Sequence, residues 1–274
     1  MRVLTIIAFL FLMAVGLTSQ TGTKLLYQTR YESQDPKFHG PGRGGERTII
    51  YRLADRTRTE RYHGDTPDAA FVSIVRCDLA RAYMLDIRSH QYSETPLPTP
   101  EEIARQQKQR HERAQTEGEP NYIFEITIVD TGETKQAFGH AARHYMQTTK
   151  NIPGPEFQQG PQETIEELWY LEVPSVYCDQ QAFSYGPGIH RGVGMVGRGS
   201  LVVTAKPELR QTGEDPKGLL LSSRKSGQET RATRNGETTT SNFYTITELV
   251  EFEEMPIDAS LFEVPAGFTK RDTR

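Results

Sequence analysis

The chain has 274 residues, 35% of them hydrophobic and 25% charged, with a formal net charge of −4. That length holds one large all-β domain or two small ones, and the composition is that of a globular chain rather than a disordered one. A weakly acidic balance with mixed signs gives no electrostatic footprint for nucleic acid, so nucleic-acid partners are not expected.

The first nineteen residues read as a secretory signal peptide. Arg2 is a minimal positive start, Val3 to Val15 is apolar apart from Thr5, and Ala14, Gly16 and Ser19 are small residues suited to cleavage after Gly16 or Ser19. The stretch is short for a membrane span, and no later apolar run has spanning length. The expectation is export to the periplasm or the cell exterior, with residues 20–274 forming one domain. Cys77 and Cys178 are the only cysteines. In an oxidising compartment one disulfide between them is the economical reading, and two free thiols are the alternative. Such a bridge closes a long loop and would contribute roughly 4–5 kcal/mol in the chain-entropy treatment.

Lys24 to Glu32 reads as a first strand, followed by a loop dense in Gly and Pro from Asp35 to Gly45. Arg47 to Ala54 and Thr57 to Tyr62 form a polar hairpin turning near Asp55 and Arg56. Here Arg52, Arg56, Arg58 and Arg61 sit among Asp55, Glu60 and Asp65, as on a solvated strand face. Phe71 to Leu79 and Arg81 to Tyr92 make the next pair, with Phe71, Val75, Cys77 and Leu79 on one face. Thr99-Pro100-Glu101-Glu102 carries a helix start: Thr99 as N-cap, Pro100 in the first turn and Glu102 closing a capping box. The helix, to about Gln115, is nearly all polar and buries little.

Asn121 to Val173 organises the rest. Tyr122, Phe124, Ile126 and Ile128 alternate with Ile123, Glu125, Thr127 and Val129, the period of a strand with one buried face. Asp130-Thr131-Gly132-Glu133 supplies turn chemistry, so a chain reversal is expected there, with Lys135 to Thr149 returning. A third strand places Ile165, Trp169, Leu171 and Val173 on one face and Glu166, Tyr170 and Glu172 on the other. Ile152 to Gln162 and Pro174 to Gly199 read as loops. Leu201 to Glu208, Gly218 to Lys225, Glu229 to Arg234 and Thr239 to Glu254 read as further strands, with turns at Gly213 to Pro216 and at Asn235-Gly236. Tyr244, Ile246, Val250 and Phe252 form the apolar face of the last. About ten strands and one polar helix point to a mainly β fold, a single curved antiparallel sheet.

The order of these elements resembles the LolA-like superfamily of bacterial envelope proteins. The pieces that carry the resemblance are the signal peptide, the hairpin strands, TGETKQAFGHAARHY leading to EELWYLEV, and the closing DASLFEVPAGF. The resemblance implies an open antiparallel half-barrel with one or two helices or loops over its mouth, and a cavity of the kind in which characterised members carry lipoproteins or bind lipids.

Motifs for other chemistry fail on context. Gly192 to Gly197 matches G-x-G-x-x-G, but loop precedes it and a strand follows, whereas dinucleotide binding needs a strand before and a helix after. A glycine-rich loop at the mouth is the better reading. His140 and His144 lie four apart, but Ala141 stands where an H-E-x-x-H zinc site needs its general base, and a third ligand would have to come from His190, Glu166 or Glu167. No G-x-S-x-G elbow exists, and the adjacent carboxylates at Glu166-Glu167 and Glu253-Glu254 face opposite sides of a strand. Trp169 is either core or a ligand wall.

The expectation is therefore a non-enzymatic binding protein without cofactor or metal. It would hold a lipid, an acyl chain or a lipidated peptide, with a lipid or lipoprotein as partner. The aromatic and aliphatic residues Tyr122, Phe124, Ile126, Trp169, Tyr244, Ile246 and Phe252 would line the sheet face. One alternative is an envelope structural or protein-interaction module with no small ligand. A second is a metallohydrolase using His140 and His144.

Overall fold

The structure is a computed structural model that describes residues 20–33, 45–99, 101–105, 108–109, 121–154, 162–173, 207–232 and 238–271. The predicted signal segment, Cys178, His190 and the Gly192 to Gly197 motif lie outside the described residues.

The described chain is mainly β, as predicted, and builds one open sheet. Its strands are β1 (Gln20–Ser33), β2 (Glu46–Leu53), β3 (Arg56–His63), β4 (Phe71–Arg76), β5 (Arg81–Asp86), β6 (Gln91–Pro96), β7 (Tyr122–Ala137), β8 (His140–Pro153), β9 (Gln162–Leu171), β10 (Pro207–Thr212), β11 (Leu219–Ala232), β12 (Thr238–Ile257) and β13 (Thr269–Lys270). They lie side by side in the order β10-β7-β8-β9-β11-β12-β1-β2-β3-β4-β5-β6-β13. The interior pairs are antiparallel, whereas the edge pairs β10·β7 and β13·β6 are parallel. Both edge strands arrive by long connections rather than hairpins, which is what parallel pairing requires.

The predicted capping box is present. Glu102 N donates to Thr99 Oγ1 at 3.2 Å, and Thr99 N donates to a Glu102 carboxylate oxygen at 2.8 Å. Residues 101–105 and 108–109 are helical. No helix among the described residues is long and apolar enough to cross a membrane.

The expected reversal after Asp130 does not occur. β7 continues to Ala137, and the chain turns at Phe138-Gly139, between the paired residues Ala137 and His140. Both turn residues have positive φ, 51° and 78°. That is the backbone of the two-residue hairpin turn that matches strand twist. The turn chemistry at Asp130 to Glu133 instead makes a bulge. Asp130 pairs with Tyr145 and Thr134 with Arg143, so residues 131–133 all stand opposite His144. Gly132 N donates to Asp130 Oδ1 at 2.9 Å, and Gly132 takes φ 76°, which closes the bulge on itself.

A second bulge overturns the face expected for the last strand. In β12, Tyr244, Ile246 and Glu248 pair with Glu32, Arg30 and Gln28, but the register then shifts, and Leu249 and Phe252 pair with Tyr27 and Leu25. Phe252 therefore lies on the opposite face from Tyr244 and Ile246, and Val250 is exposed.

Two buried clusters dominate the interior. The first gathers Leu25, Tyr27, Ile50, Ala142, Leu171, Leu219, Leu221 and Leu249, with Trp169 and Phe252 against its rim. The second gathers Leu53, Val72, Ile74, Leu85, Ile257 and Phe262. Phe262 belongs to the C-terminal segment, which leaves β12, makes a short 3-10 turn at Ala259–Phe262 and reaches β6 as β13. This segment changes the reading of β3. Arg58 and Glu60 were expected on a solvated face. They form an ion pair at 2.6 Å with side chains only 12% and 13% exposed, and Arg58 also donates to the Leu261 carbonyl. Leu79, expected on the apolar face of its strand, is exposed, because β4 ends at Arg76 and Cys77–Leu79 form a 3-10 turn.

Candidate functional site

The seven residues expected to line one binding face divide into separate groups. Tyr122, Phe124 and Ile126 share a face of β7, since they alternate along the strand and stand opposite Pro153, Asn151 and Thr149 of β8. Continuing across the sheet, Thr149 pairs with Thr164 of β9. Trp169 is five residues from Thr164 along an unbroken strand and so projects from the other face. Tyr244 and Ile246 share Trp169's face, through Ser226 with Ile165 and Arg224 with Glu167. Phe252 and Trp169 each pack against the first core cluster.

The β7 group lies beside the edge strand β10. Tyr122 and Phe124 rings lie 4.8 Å apart, tilted by 37°. Leu209 of the edge strand β10 stands beside Phe124 in register and is 47% exposed. Tyr122, Phe124 and Ile126 are half-buried and belong to none of the buried core clusters. Farther along the same face, Tyr170 packs edge-on against Tyr145 at 6.1 Å. Burial pushes its hydroxyl up to about 12, with Glu166, Asp215 and Tyr145 adding to the effect. A carboxylate of Glu166 accepts a hydrogen bond from Ser223.

Toward β2 and β4 that face is not hydrocarbon. Thr48, Thr57, Thr59 and Ser73 are buried, and the register runs Leu25, Ile50, Thr59, Ser73 across four strands. Thr29 and Thr247 hydroxyls meet at 3.0 Å on the same side. The expectation of a continuous apolar face is corrected by these hydroxyls. Threonine, being β-branched, suits a strand as Val does, and its alternation alone does not reveal that it is buried.

On the other face Trp169 is engaged by the chain itself. The His144 ring stacks on it at 4.6 Å and 17°, and Lys135 Nζ lies 4.0 Å from the ring centroid. Burial pulls the Lys135 ammonium below the usual lysine value, opposed by Glu167 and Glu248. His144 is 8% exposed. Its Nδ1 lies 3.0 Å from Thr131 Oγ1 and 3.3 Å from Glu133 Oε2, and its Nε2 lies 3.6 Å from Glu167 Oε1. Sequence reading missed this convergence, because a reversal at Asp130 would have sent Thr131 and Glu133 to a loop tip. The only trace was the D-T-G-E run itself, two residues longer than the pairing with β8 needs.

His140 does not join His144. Strand rise separates their Cα atoms by roughly 13 Å, too far for one ion. The His140 ring instead lies 5.4 Å from Phe252, beside Phe138 at 6.1 Å from the same ring. No group of three or more metal-binding side chains occurs among the described residues. Cys77 packs against the small cluster of Val75, Ala82 and Leu97, at the end of β4.

No protein-family model matches the chain, and no curated protein is similar to it.

Proposed function

We propose that the chain is a binding protein of LolA-like kind for a hydrophobic ligand, an acyl chain, lipid or lipidated peptide, held without covalent chemistry. The carrying observation is the stripe of Tyr122, Phe124 and Ile126, with Leu209 alongside, half-open on one face and outside the packed core. Contact at ~25 cal/mol per Å² over such a stripe supplies affinity with no polar recognition. Trp169 takes no part in the ligand surface, since His144 and Lys135 already cover it.

The test is mass spectrometry of an organic extract from the protein purified natively. A stoichiometric lipid in the wild type, lost in Phe124→Asp and kept in Tyr244→Asp on the opposite face, is the expected result. A clean extract from folded protein sinks the reading. It would favour a structural or protein-interaction module, for which the buried Thr and Ser face of β2–β4 already speaks.

Export and a Cys77–Cys178 bridge belong to the same proposal. N-terminal sequencing of the native protein should begin after Gly16 or Ser19. Peptide mapping without reductant should recover the two cysteines in one linked fragment. An intact Met1 or two separate thiol peptides would refute them.

A further inference from the structure

β10 ends the sheet on one side, and among the described residues β7 is its only paired neighbour. At the far end of the sheet the edge strand is β13, two residues long. There Lys270 donates to Glu94 at 2.7 Å, and the next residue, Arg271, donates to Gln91 at 3.1 Å. A short, charged edge of that kind resists further pairing. β10 has six residues, its residues 209–212 are exposed, and Leu209 is 47% exposed. An edge of that length carrying an open leucine is a template for another strand.

We propose that β10 pairs antiparallel with the β10 of a second copy of this chain, in one register centred on Leu209. The two-fold axis of such a pair stands perpendicular to the sheet. One residue must then lie opposite its own copy, with the residues on either side of it opposite each other. Charge selects which residue that is. Centring on Glu208 sets two carboxylates face to face, and centring on Arg210 sets two guanidinium groups face to face. Centring on Gln211 puts Leu209 opposite Gly213, which lies past the strand end at φ 88°. Centring on Pro207 or Thr212 pairs no other residue of the strand. Centring on Leu209 sets leucine against leucine on one face. On the other face it sets each Glu208 against Arg210 of the second copy. Within one copy Arg210 Nε and Nη2 hold the Glu208 carboxylate at 3.0 and 2.9 Å, and Nη1 lies 3.6 Å from Glu125. The Arg210 and Glu208 side chains are 51% and 38% exposed, so both remain open to a further partner. Two copies close these groups into a ring of alternating charge. Leu209 stands beside Phe124, so the same pairing joins the two apolar stripes into one band. Pro207 has no N–H to offer, but it sits at the strand end, two residues from the axis. The pairing does not depend on the ligand proposed above.

The experiment is sedimentation velocity of the full chain at rising concentration. The wild type should form a reversible dimer by about 100 μM, the strength expected of a small interface. Glu208→Arg makes the edge wholly basic, and Arg210→Glu makes it wholly acidic. Each variant alone should raise the dissociation constant at least about tenfold, because like charges then lie opposite each other twice. An equimolar mixture of the two should recover a heterodimer, since every opposite pair is again unlike. A wild type that stays monomeric overturns the proposal, as does unchanged self-association in either variant or a mixture that stays monomeric. The register has its own reading, which carries the test should a charge variant fail to fold. Leu209→Cys should give a disulfide-linked dimer under mild oxidation, because opposite Cα atoms lie within bridging distance. Thr212→Cys, also exposed, should not, since it would lie roughly 20 Å from its own copy. No cross-link at position 209, or equal cross-linking at both positions, overturns the pairing.

Discussion

Phe262→Ala should lower stability by about 3–5 kcal/mol, read as a shift of the denaturant midpoint at unchanged slope. Phe262 is fully buried and is the largest side chain in its cluster, against Leu53, Val72, Ile74, Leu85 and Ile257. Its position is held from several directions, so neighbours cannot collapse into the space. Asp258 caps the turn by accepting from Ser260 N at 2.9 Å, Arg58 donates to the Leu261 carbonyl at 3.1 Å, and Glu263 pairs with Arg76. Beyond the turn, Thr269 N donates to the His90 carbonyl at 3.0 Å and Arg271 N to the Tyr92 carbonyl at 2.8 Å, and Phe268 stacks on His90. A cavity pinned at both ends stays open, which is the costly case for a large-to-small substitution. Leu79→Ala is the control, since Leu79 is 49% exposed and should change stability by less than about 0.5 kcal/mol. A cost below about 1 kcal/mol for Phe262→Ala would mean that the C-terminal segment merely lies on the sheet.

The same segment explains where sequence reading succeeded and where it stopped. The strand beginning at Tyr122 and the Thr99 capping box are local signals, and both are found where they were read, although over residues 122–126 the two faces of β7 are equally half-buried and only Ile128 is buried. In β4, however, Val72, Ser73, Ile74, Val75 and Arg76 are all buried. A period-two pattern assigns one face to water, and nothing near β4 in the chain says that Phe262 will cover one of them. Burial of Arg58 and Glu60 was illegible for that reason. The two bulges were hidden differently. Turn residues at Asp130 to Glu133 were recognised, but whether they reverse a strand or kink it depends on the partner strand's length. The shift at Leu249 to Glu251 in β12 carries no Gly or Pro to mark it. One such shift moves every later side chain to the other face, which is why Tyr244 and Phe252, an even number of residues apart, do not share a side. The cluster at His144 was lost to the same misplaced reversal, whereas the β7 stripe survived because it lies before the bulge.

Arg76→Ala should cost about 2–4 kcal/mol at pH 7, and the loss should depend on pH in a defined direction. The Arg76 side chain is only 7% exposed and makes a two-pronged contact with Asp78, Nε to Oδ1 and Nη2 to Oδ2, each at 2.8 Å, while Nη1 reaches Glu263. Arg56 Nη2 adds a contact to Asp78 at 3.2 Å. The guanidinium thus ties β4 and the 3-10 turn after it to the C-terminal segment, and removing it leaves Glu263 without this partner and Asp78 with the Arg56 contact in place of three. The hydrogen bonds from Arg76 hold the Asp78 carboxyl below its ordinary value, helped by the charges of Arg76 and Arg56 and opposed by burial. The guanidinium in turn is held above its ordinary value, first by the Asp78 hydrogen bond, and stays charged throughout. A carboxyl lowered on folding stabilises fully above its unfolded value, near 4, and loses that contribution as pH falls through its folded value. The gap between wild type and Arg76→Ala should therefore be flat from pH 5 to 8 and narrow as pH falls below about 4. Taking the difference removes the acid sensitivity that both proteins share through carboxyls elsewhere. Urea unfolding at intervals from pH 2.5 to 8 measures it. A gap that stays constant to the acid end would show that Arg76 acts through packing of its aliphatic stem, and a gap under about 0.5 kcal/mol at pH 7 would show that the network contributes no more than an exposed ion pair.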